Sequence, residues 1–251
     1  MKWFKQQELW LRAAILGGVA LVLAAIIVLL SVFVIAPNVR YSQAQRLIST
    51  DPAGAHEAFY NMGDFRQASE TAQKIQDDIF AGRTVDSVQF DGAPWLVLEQ
   101  RGDRMLLLRE EALPARAYHG AFVEITWENS AMRDYLNGQW LNRMPQSYRD
   151  RIVQTEVFNR DSRFGMDGGE NTHDYVFLLS VAEARLYFAN DQARIARAGN
   201  VNVFWWLRSP GLQADFAATV SASGSLGITG SMVHGPMSAN RYVRPAIWVT
   251  V

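Results

Sequence analysis

The chain has 251 residues, a formal net charge of −1 and no cysteine. That length suits one medium-sized domain with attached segments. The lack of cysteine excludes disulfides, thiolate metal sites and cysteine nucleophiles, and the near-neutral charge argues against a nucleic-acid partner, which would need a basic face.

The first predicted element is a helix over residues 13–36 that is long enough to span a membrane. It contains no charged residue, and at about 1.5 Å per residue it would reach about 36 Å, against a hydrocarbon core of about 30 Å. A buried helix and a cleaved signal peptide are the alternatives. The apolar region of a signal peptide is usually only about 7–15 residues long, and Pro37 disfavours cleavage after Ala36.

The residues that flank this helix predict its orientation. Lys2, Lys5 and Arg12 precede it, whereas Arg40 and Arg46 follow it. This excess of positive charge before the span favours an amino terminus inside the cytoplasm. Aromatic residues suited to the membrane interface also precede the span: Trp3, Phe4 and Trp10. We therefore expect residues 1–38 to anchor the protein in a bacterial cytoplasmic membrane by a single pass, with the remainder outside the cytoplasm.

Residues 39–82 are predicted to form two or three short antiparallel helices. Three apolar stripes at helical spacing indicate them: Tyr41, Ala44 and Leu47; Ala55, Ala58 and Phe59; Phe65, Ala68, Ala72, Ile75 and Ile79. Asp64, after Gly63, is the expected N-cap of the last helix. A helical-repeat array needs at least three units, so a spacer docked on the next domain is favoured over an independent peptide-binding array.

Residues 83–251 are predicted to form one α+β domain with short strands and two to three helices. The strands are expected at residues 85–90, 94–100, 104–109, 175–179 and 201–211, in a hairpin over 217–228, and at 242–251. A helix capped by Asn129 or Ser130 should bury Met132, Tyr135 and Leu136 and end at Gly138. A short helix is expected near residues 147–153. Ser180, with Glu183 three residues later, predicts a capping box at the start of another helix.

Five phrases in this domain occur in a distinctive order. They are "DGAPWLVLEQRGDRMLLL", "ITWENSAMRDYLNGQWLN", "DYVFLLSVAEARLYF", "WWLRSPG" and "VRPAIWV". In these motifs residues 85–251 resemble an uncharacterised bacterial family, a domain of unknown function. The segment from Tyr41 to Ile79 resembles a helical repeat that often precedes this domain in membrane-anchored proteins.

The resemblance implies a C-type-lectin-like fold, similar to that of formylglycine-generating enzymes and hypervariable ligand-binding proteins. In that fold the first and last strands pair, and a long loop region carries binding. The chain departs from the enzyme branch because it has no cysteine, which excludes that branch's oxidation chemistry. It also contains no Glu-Pro-Asn triplet of the calcium-binding lectins.

The segment from Asn202 to Gly211 places two tryptophans beside an arginine and a turn. Since side chains alternate along a strand, Trp206 and Arg208 share one face and Trp205 the other, which predicts a central strand. A buried arginine needs carboxylate or carbonyl partners. Candidate carboxylates lie in the matching motifs: Glu128, Asp134, Asp174 and Glu183. A structural role is favoured for Arg208, and for Arg244 in "VRPA"; the alternative is a ligand carboxylate, or a sugar stacked on an indole.

The polar loop of residues 159–174 is the second candidate site. The predicted ligand-binding residues are Trp206 and Arg208 together with four oxygen-bearing side chains of this loop: Asp167, Glu170, Asn171 and Asp174. Asp161 could add a further oxygen, but EF-hand spacing is absent, so a solvated loop is favoured over a metal site. The four histidines are scattered, and no phosphate loop or nucleophile elbow is present.

We expect a membrane-anchored extracytoplasmic binding or interaction module rather than an enzyme, with no cofactor, no metal and no nucleic acid. Its ligand would be a glycan or a protein. The alternatives are a wall or glycan hydrolase, which would bring titratable groups together in one cleft, and a structural subunit, which would expose an apolar stripe on its helices.

Overall fold

The computed structural model describes residues 2–236 and 238–251, and for residues 2–9 and 11–15 it describes the backbone alone. Helix α1 (Lys2–Leu30) runs through a π-helical turn (Ser31–Ile35) directly into α2 (Ala36–Leu47). From residue 16 onward this helix is long and apolar enough to cross a membrane, and the apolar window lies wholly outside the protein core. Its length and composition are those of a membrane span or a signal sequence. The side chains expected at the interface, Trp3 and Phe4, and the flanking Lys2, Lys5 and Arg12 lie outside the described part.

Two helices follow α2 and pack in sequence order. α3 (Pro52–Met62) packs against α2, and α4 (Ala68–Ala81) packs against α3. Each apolar stripe therefore lies on a helix, except that Phe65 of the third stripe precedes α4. Asp51 caps α3 by accepting a hydrogen bond from the backbone N–H of Gly54 at 2.9 Å. The prediction that Asp64 caps the last helix is wrong. Gly63 and Arg66 both have positive φ, which extends the turn and delays the start of α4 until after Gln67.

The helical segment is docked on the rest of the protein. Ala55 and Phe59 of α3 have no exposed surface and belong to the same continuous core as the strands. Gln76 of α4 donates to the backbone oxygens of Arg185 and Leu186 at 3.2 and 2.7 Å. These contacts agree with a docked spacer rather than an independent array.

The remainder is a mixed α+β structure with several small antiparallel sheets. Its helices are α5 (Ala131–Tyr135), α6 (Gln146–Arg149), α7 (Val181–Leu186) and α8 (Asp191–Arg194), with a short 3₁₀ turn at Ser238–Asn240. Its strands are β1 (Ser87–Phe90), β2 (Ala93–Arg101), β3 (Arg104–Arg109), β4 (Ile152–Val153), β5 (Thr155–Val157), β6 (Thr172–Asp174), β7 (Ala196–Ala198), β8 (Val201–Val203), β9 (Trp205–Pro210), β10 (Phe216–Val220), β11 (Leu226–Met232) and β12 (Ala246–Thr250).

The main sheet has the strand order β1-β2-β3-β12-β4. The predicted β2–β3 hairpin is confirmed, and Gly102 supplies the positive φ of its turn. The last strand pairs with β3, for example Trp248 opposite Leu106, and with β4. The expected pairing of the first and last strands is therefore not what the chain does, because β2 and β3 lie between them.

A second sheet has the order β11-β10-β9 and confirms the predicted hairpin near residues 217–228. The prediction that the tryptophan strand is central is wrong, because β9 lies at the edge of this sheet. Its outer side is nevertheless covered. The N–H of Arg208 donates to the oxygen of Leu179 at 2.9 Å, and the N–H of Trp206 donates to the oxygen of Tyr242 at 3.1 Å.

Two further local predictions are corrected. Residues 175–179 are largely buried but form no regular strand, and only Phe177 makes a bridge, to Ala246. The side chain of Asn137 accepts from the backbone N–H of residues 175 and 176, both at 3.0 Å, and so replaces a strand partner. The helix after Ser130 does not end at Gly138 but continues as a π turn (Leu136–Trp140) and a 3₁₀ turn (Leu141–Arg143).

Candidate ligand cleft and buried charge network

The arginine of the tryptophan strand is buried and paired. Arg208 is 3 % exposed, and its Nη2 donates to Oε1 of Glu183 at 2.9 Å while its Nη1 contacts Oε2 of the same carboxylate. The guanidinium also donates to the backbone oxygens of Leu178 at 2.7 Å and Phe158 at 3.1 Å. The structural role is therefore the one that the geometry supports for this residue.

Glu183 serves two structures at once. Ser180 and Glu183 form the predicted capping box of α7, in which the carboxylate accepts from the N–H of Ser180 at 2.8 Å. The same carboxylate holds Arg208, so the pair joins the start of α7 to strand β9. Of the four candidate carboxylates, this is the one that pairs with Arg208.

Arg244 is held in a different way. It is 1 % exposed, its Nε donates to the oxygen of Arg109 at 2.9 Å, and its guanidinium lies 5.2 Å from the Trp205 ring and 5.9 Å from the Phe188 ring. Burial lowers the pKa of Arg244 to about 10, partly offset by Glu110. Two aromatic rings and a backbone carbonyl oxygen therefore stabilise this buried cation.

Trp206 and Asp174 are also committed to internal partners. Trp206 has no exposed surface, its Nε1 donates to the oxygen of Arg116 at 2.9 Å, and its ring packs edge-on to Tyr118. Asp174 is 1 % exposed and accepts hydrogen bonds from Trp127, Arg133 and Thr172 at 2.7–2.8 Å. Neither side chain reaches a surface on which an external ligand could bind.

The remaining predicted site residues lie apart, on an exposed loop. Asp167, Glu170 and Asn171 are all exposed. The Asp167 carboxylate accepts from the N–H of Gly169 at 2.8 Å, and the Asn171 side chain accepts from the N–H of Asn159 at 3.1 Å. Within the described residues, no group of three or more metal-ligating side chains comes together here or elsewhere.

A second cluster of charged residues, around Glu99, was not predicted from the sequence. Glu99, only 5 % exposed, accepts a hydrogen bond from the Tyr187 hydroxyl at 2.7 Å and pairs with Arg101. Burial, and next the nearby Glu99, raise the pKa of Tyr187 well above its ordinary value, so the hydroxyl stays a donor. The glutamate inside the apolar run "WLVLEQR" was the available signal.

This cluster borders a small polar cavity of about 250 Å³. Asp51, at the start of α3, and Glu183 line it together with Arg101 and Tyr187. Both carboxylates are already paired: Asp51 with Arg160, and Glu183 with Arg208. The cavity therefore brings titratable groups together, but arginines hold its two best-buried acids.

A larger cleft, of about 850 Å³, lies between the helical segment and helices α7 and α8. Ligand pockets commonly enclose about 300–1,000 Å³. The wall from α3 and α4 and the wall from the α7–α8 region both contribute polar or aromatic side chains: His56, Tyr60, Gln73, Gln76, Arg185, Asn190, Asp191 and Arg194.

The cations of this cleft are satisfied within the protein. Arg185 pairs with Glu57 at 2.9 Å and lies 4.7 Å from the Tyr60 ring centroid. Arg194 pairs with Asp191, and its Nε donates to the oxygen of Gly224 at 2.9 Å. The cleft therefore offers little net positive charge to an anion.

His56 lies in the wall of the cleft with one ring nitrogen unused. It is 5 % exposed, and Nδ1 has no hydrogen-bond partner within the described chain. Burial, and next the positive charge of Arg185, lower the pKa of His56 to about 4, so the ring is neutral at pH 7. Tyr60 stacks near it, with ring centroids 6.3 Å apart, and remains 56 % exposed.

The sequence alone could not predict this cleft, because its two walls come from segments more than one hundred positions apart.

Comparison with known protein families matches residues 102–251 to the family described as Domain of unknown function (DUF6273). The chain matches no curated protein and no solved structure. The matched range contains α7 and α8 but not α3 and α4, so the family supplies one wall of the cleft. Since the match covers more than half of its length, the chain belongs to the DUF6273 family.

Proposed function

We propose that this protein is a membrane-anchored, extracytoplasmic binding module whose ligand occupies the cleft between α3–α4 and α7–α8. The observation that carries the proposal is the cleft itself, about 850 Å³ in volume and lined by an exposed aromatic ring and several amides. The apolar helix supports the anchor. A C-type-lectin-like origin of the domain is part of the proposal: the small antiparallel sheets support it, whereas the separation of the first and last strands by β2 and β3 counts against it.

The ligand class proposed is a neutral molecule rich in hydroxyl groups, such as a saccharide. Arg185 and Arg194 already pair with acids, so an anionic ligand would have to displace them. The part of the Tyr60 ring that Arg185 and His56 leave exposed offers an apolar surface for a sugar ring, and the amides Gln73 and Asn190 can bind hydroxyl groups.

The two alternatives have less support. A hydrolase would use the polar cavity, yet two of the three carboxylates that line it, Asp51 and Glu183, are bonded to arginines, for which a substrate would have to compete. The third, Glu156, lies on the exposed rim. A structural subunit would expose an apolar stripe on α2–α4. In the described part of these helices, Val39 and Tyr60 are the large exposed hydrophobic residues, and they do not form a stripe.

The test is calorimetric titration of the full chain, in detergent or nanodiscs, with neutral oligosaccharides of glucose, mannose and N-acetylglucosamine. Tyr60→Ala should weaken binding at least tenfold, because it removes the aromatic face of the cleft. Tyr175→Ala is the matched control, since Tyr175 is 41 % exposed and lies outside the cleft. Binding that Tyr60→Ala leaves unchanged, or no binding to any member of the panel, would count against this assignment.

A further inference from the structure

The anchor helix enters the protein core without a flexible joint. The π-helical turn of residues 31–35 continues directly into α2. Tyr41 is 9 % exposed and Ala44 is 1 % exposed, so the second and third turns of α2 pack against the docked helix α3. Tyr41 lies five residues after Ala36, the end of the predicted membrane span, which is about 7.5 Å of helix.

The aromatic contacts of Tyr41 show which part of the protein lies at this height. Its ring centroid is 5.2 Å from that of Phe59 near the end of α3 and 6.3 Å from that of Phe65 in the following turn. The Arg66 guanidinium lies 5.4 Å from the same ring. Because α3 returns antiparallel to α2, the turn of residues 63–67 lies at the end of the helix pair nearest the apolar segment.

The height of this turn can be compared with the thickness of the headgroup layer. A bilayer of about 40–45 Å with a hydrocarbon core of about 30 Å leaves about 5–8 Å of headgroups on each side. A turn about 7.5 Å above the core therefore meets the outer edge of the phosphates. Arg40 and Arg66 are both exposed here, and long arginine side chains can extend to phosphate groups. Asp64 and Glu70 are the exposed acids of the same region.

We infer that the turn between α3 and α4 is a second membrane contact, in which Arg40 and Arg66 bind lipid phosphates and hold the domain against the bilayer. The inference rests on the anchor of the proposed function and is independent of what occupies the cleft. Arg66 has a left-handed backbone (φ 54°), uncommon for a residue other than glycine. That conformation accompanies a guanidinium held beside the rings of Tyr41 and Phe65.

The absence of cysteine makes a single-label test clean. Gln67→Cys places a fluorophore in the turn, at an exposed side chain that caps nothing. Ser49→Cys is the matched control, because Ser49 is exposed just beyond the far end of α2. It follows Tyr41 by eight residues and so lies about 12 Å farther from the membrane along the helix axis. Each full-length variant is reconstituted into phosphatidylcholine vesicles that contain a lipid with a headgroup spin label, and vesicle flotation is measured on the same samples.

We expect at least threefold stronger quenching at position 67 than at position 49. Arg40→Gln combined with Arg66→Gln should reduce the quenching at 67 at least twofold, whereas Arg46→Gln, on the exposed distal part of α2, should not. Equal quenching at positions 67 and 49, in vesicles that float with the protein, would overturn the proposed second membrane contact but would still support the membrane anchor. Protein that fails to float would overturn both, while saccharide binding at Tyr60 would still report on the cleft.

Discussion

Glu183 receives the Arg208 guanidinium while it closes the capping box of α7. Nη2 of Arg208 lies 2.9 Å from Oε1 of Glu183, and the N–H of Ser180 lies 2.8 Å from Oε2. One carboxylate thus satisfies a helix terminus and a buried cation, two groups that would each be costly to leave without partners. The motifs that carry Ser180–Glu183 and Trp206–Arg208 are therefore parts of one structural unit.

Removing the arginine should unfold much of that unit. The pair is buried, and the loss of one partner of a buried ion pair costs about 3–5 kcal/mol, against a typical total stability of about 5–15 kcal/mol. Arg208→Ala should lower the melting temperature or the folding yield sharply. Arg208→Lys should rescue poorly, because lysine lacks the bidentate fork. Circular dichroism melting curves measure this. An unchanged Tm for Arg208→Ala would contradict the structural role and favour a role of Arg208 in ligand binding.

The buried histidine should make stability depend on pH. The pKa of His56 is about 4 in the folded protein and 6.5 in the reference state. Between pH 6.5 and pH 4 the histidine is protonated in the unfolded chain but not in the folded protein. The free energy of unfolding should therefore fall as the pH drops from 6.5 to 4. Below pH 4 this residue should cause no further change. The full effect is about 3 kcal/mol.

Chemical denaturation at pH 7 and pH 5 measures this slope. His56→Gln should flatten it, because the glutamine side chain does not titrate. His173→Gln is the control, since His173 is exposed and lies outside the cleft. A slope that persists unchanged in His56→Gln would assign the pH dependence to other groups.

The Tyr187 hydroxyl should stabilise the buried Glu99. Tyr187→Phe removes the hydrogen bond of 2.7 Å and leaves one carboxylate oxygen without its donor. A buried acceptor without a partner costs about 1–3 kcal/mol. Tyr148→Phe is a suitable comparison, because that hydroxyl makes no side-chain hydrogen bond within the described chain. Equal denaturation midpoints for the two variants would show that water replaces the tyrosine at Glu99.

The proposed topology predicts that the family domain lies outside the cytoplasm. Protease added to spheroplasts should degrade residues after the span while a cytoplasmic control protein stays intact. Carbonate extraction should leave the chain in the membrane pellet, because an apolar helix of this length partitions strongly into lipid. A domain that is protected until detergent is added would reverse the orientation, and a chain released by carbonate would indicate a cleaved signal sequence instead.

Elements with strong local signals were predictable from the sequence. The capping box at Ser180 and the β2–β3 hairpin follow from residues a few positions apart. The strand expected at residues 175–179 was wrong, because Asn137, distant in sequence, satisfies the backbone there. Burial alone does not distinguish a strand from an irregular segment whose polar groups are satisfied by side chains.

The candidate site was predictable only in part. Spacing indicated that Arg208 needed a carboxylate, and four were available, but only the fold brings Glu183 to it. The cleft depends on how α3 packs on α7, which no short motif encodes. The unused nitrogen of His56 likewise follows from tertiary burial rather than from the surrounding sequence.

The uninterrupted helix from the apolar segment to Leu47 also determines where the protein can meet a ligand. A domain on a flexible linker of about 30 residues would move through about 30 Å and sample a broad volume above the bilayer. In the proposed topology this chain has no such reach, and its cleft, which includes Tyr60 near the end of α3, stays within a thin layer at the lipid surface. Capture is then a two-dimensional search, which favours ligands that are themselves concentrated in that layer.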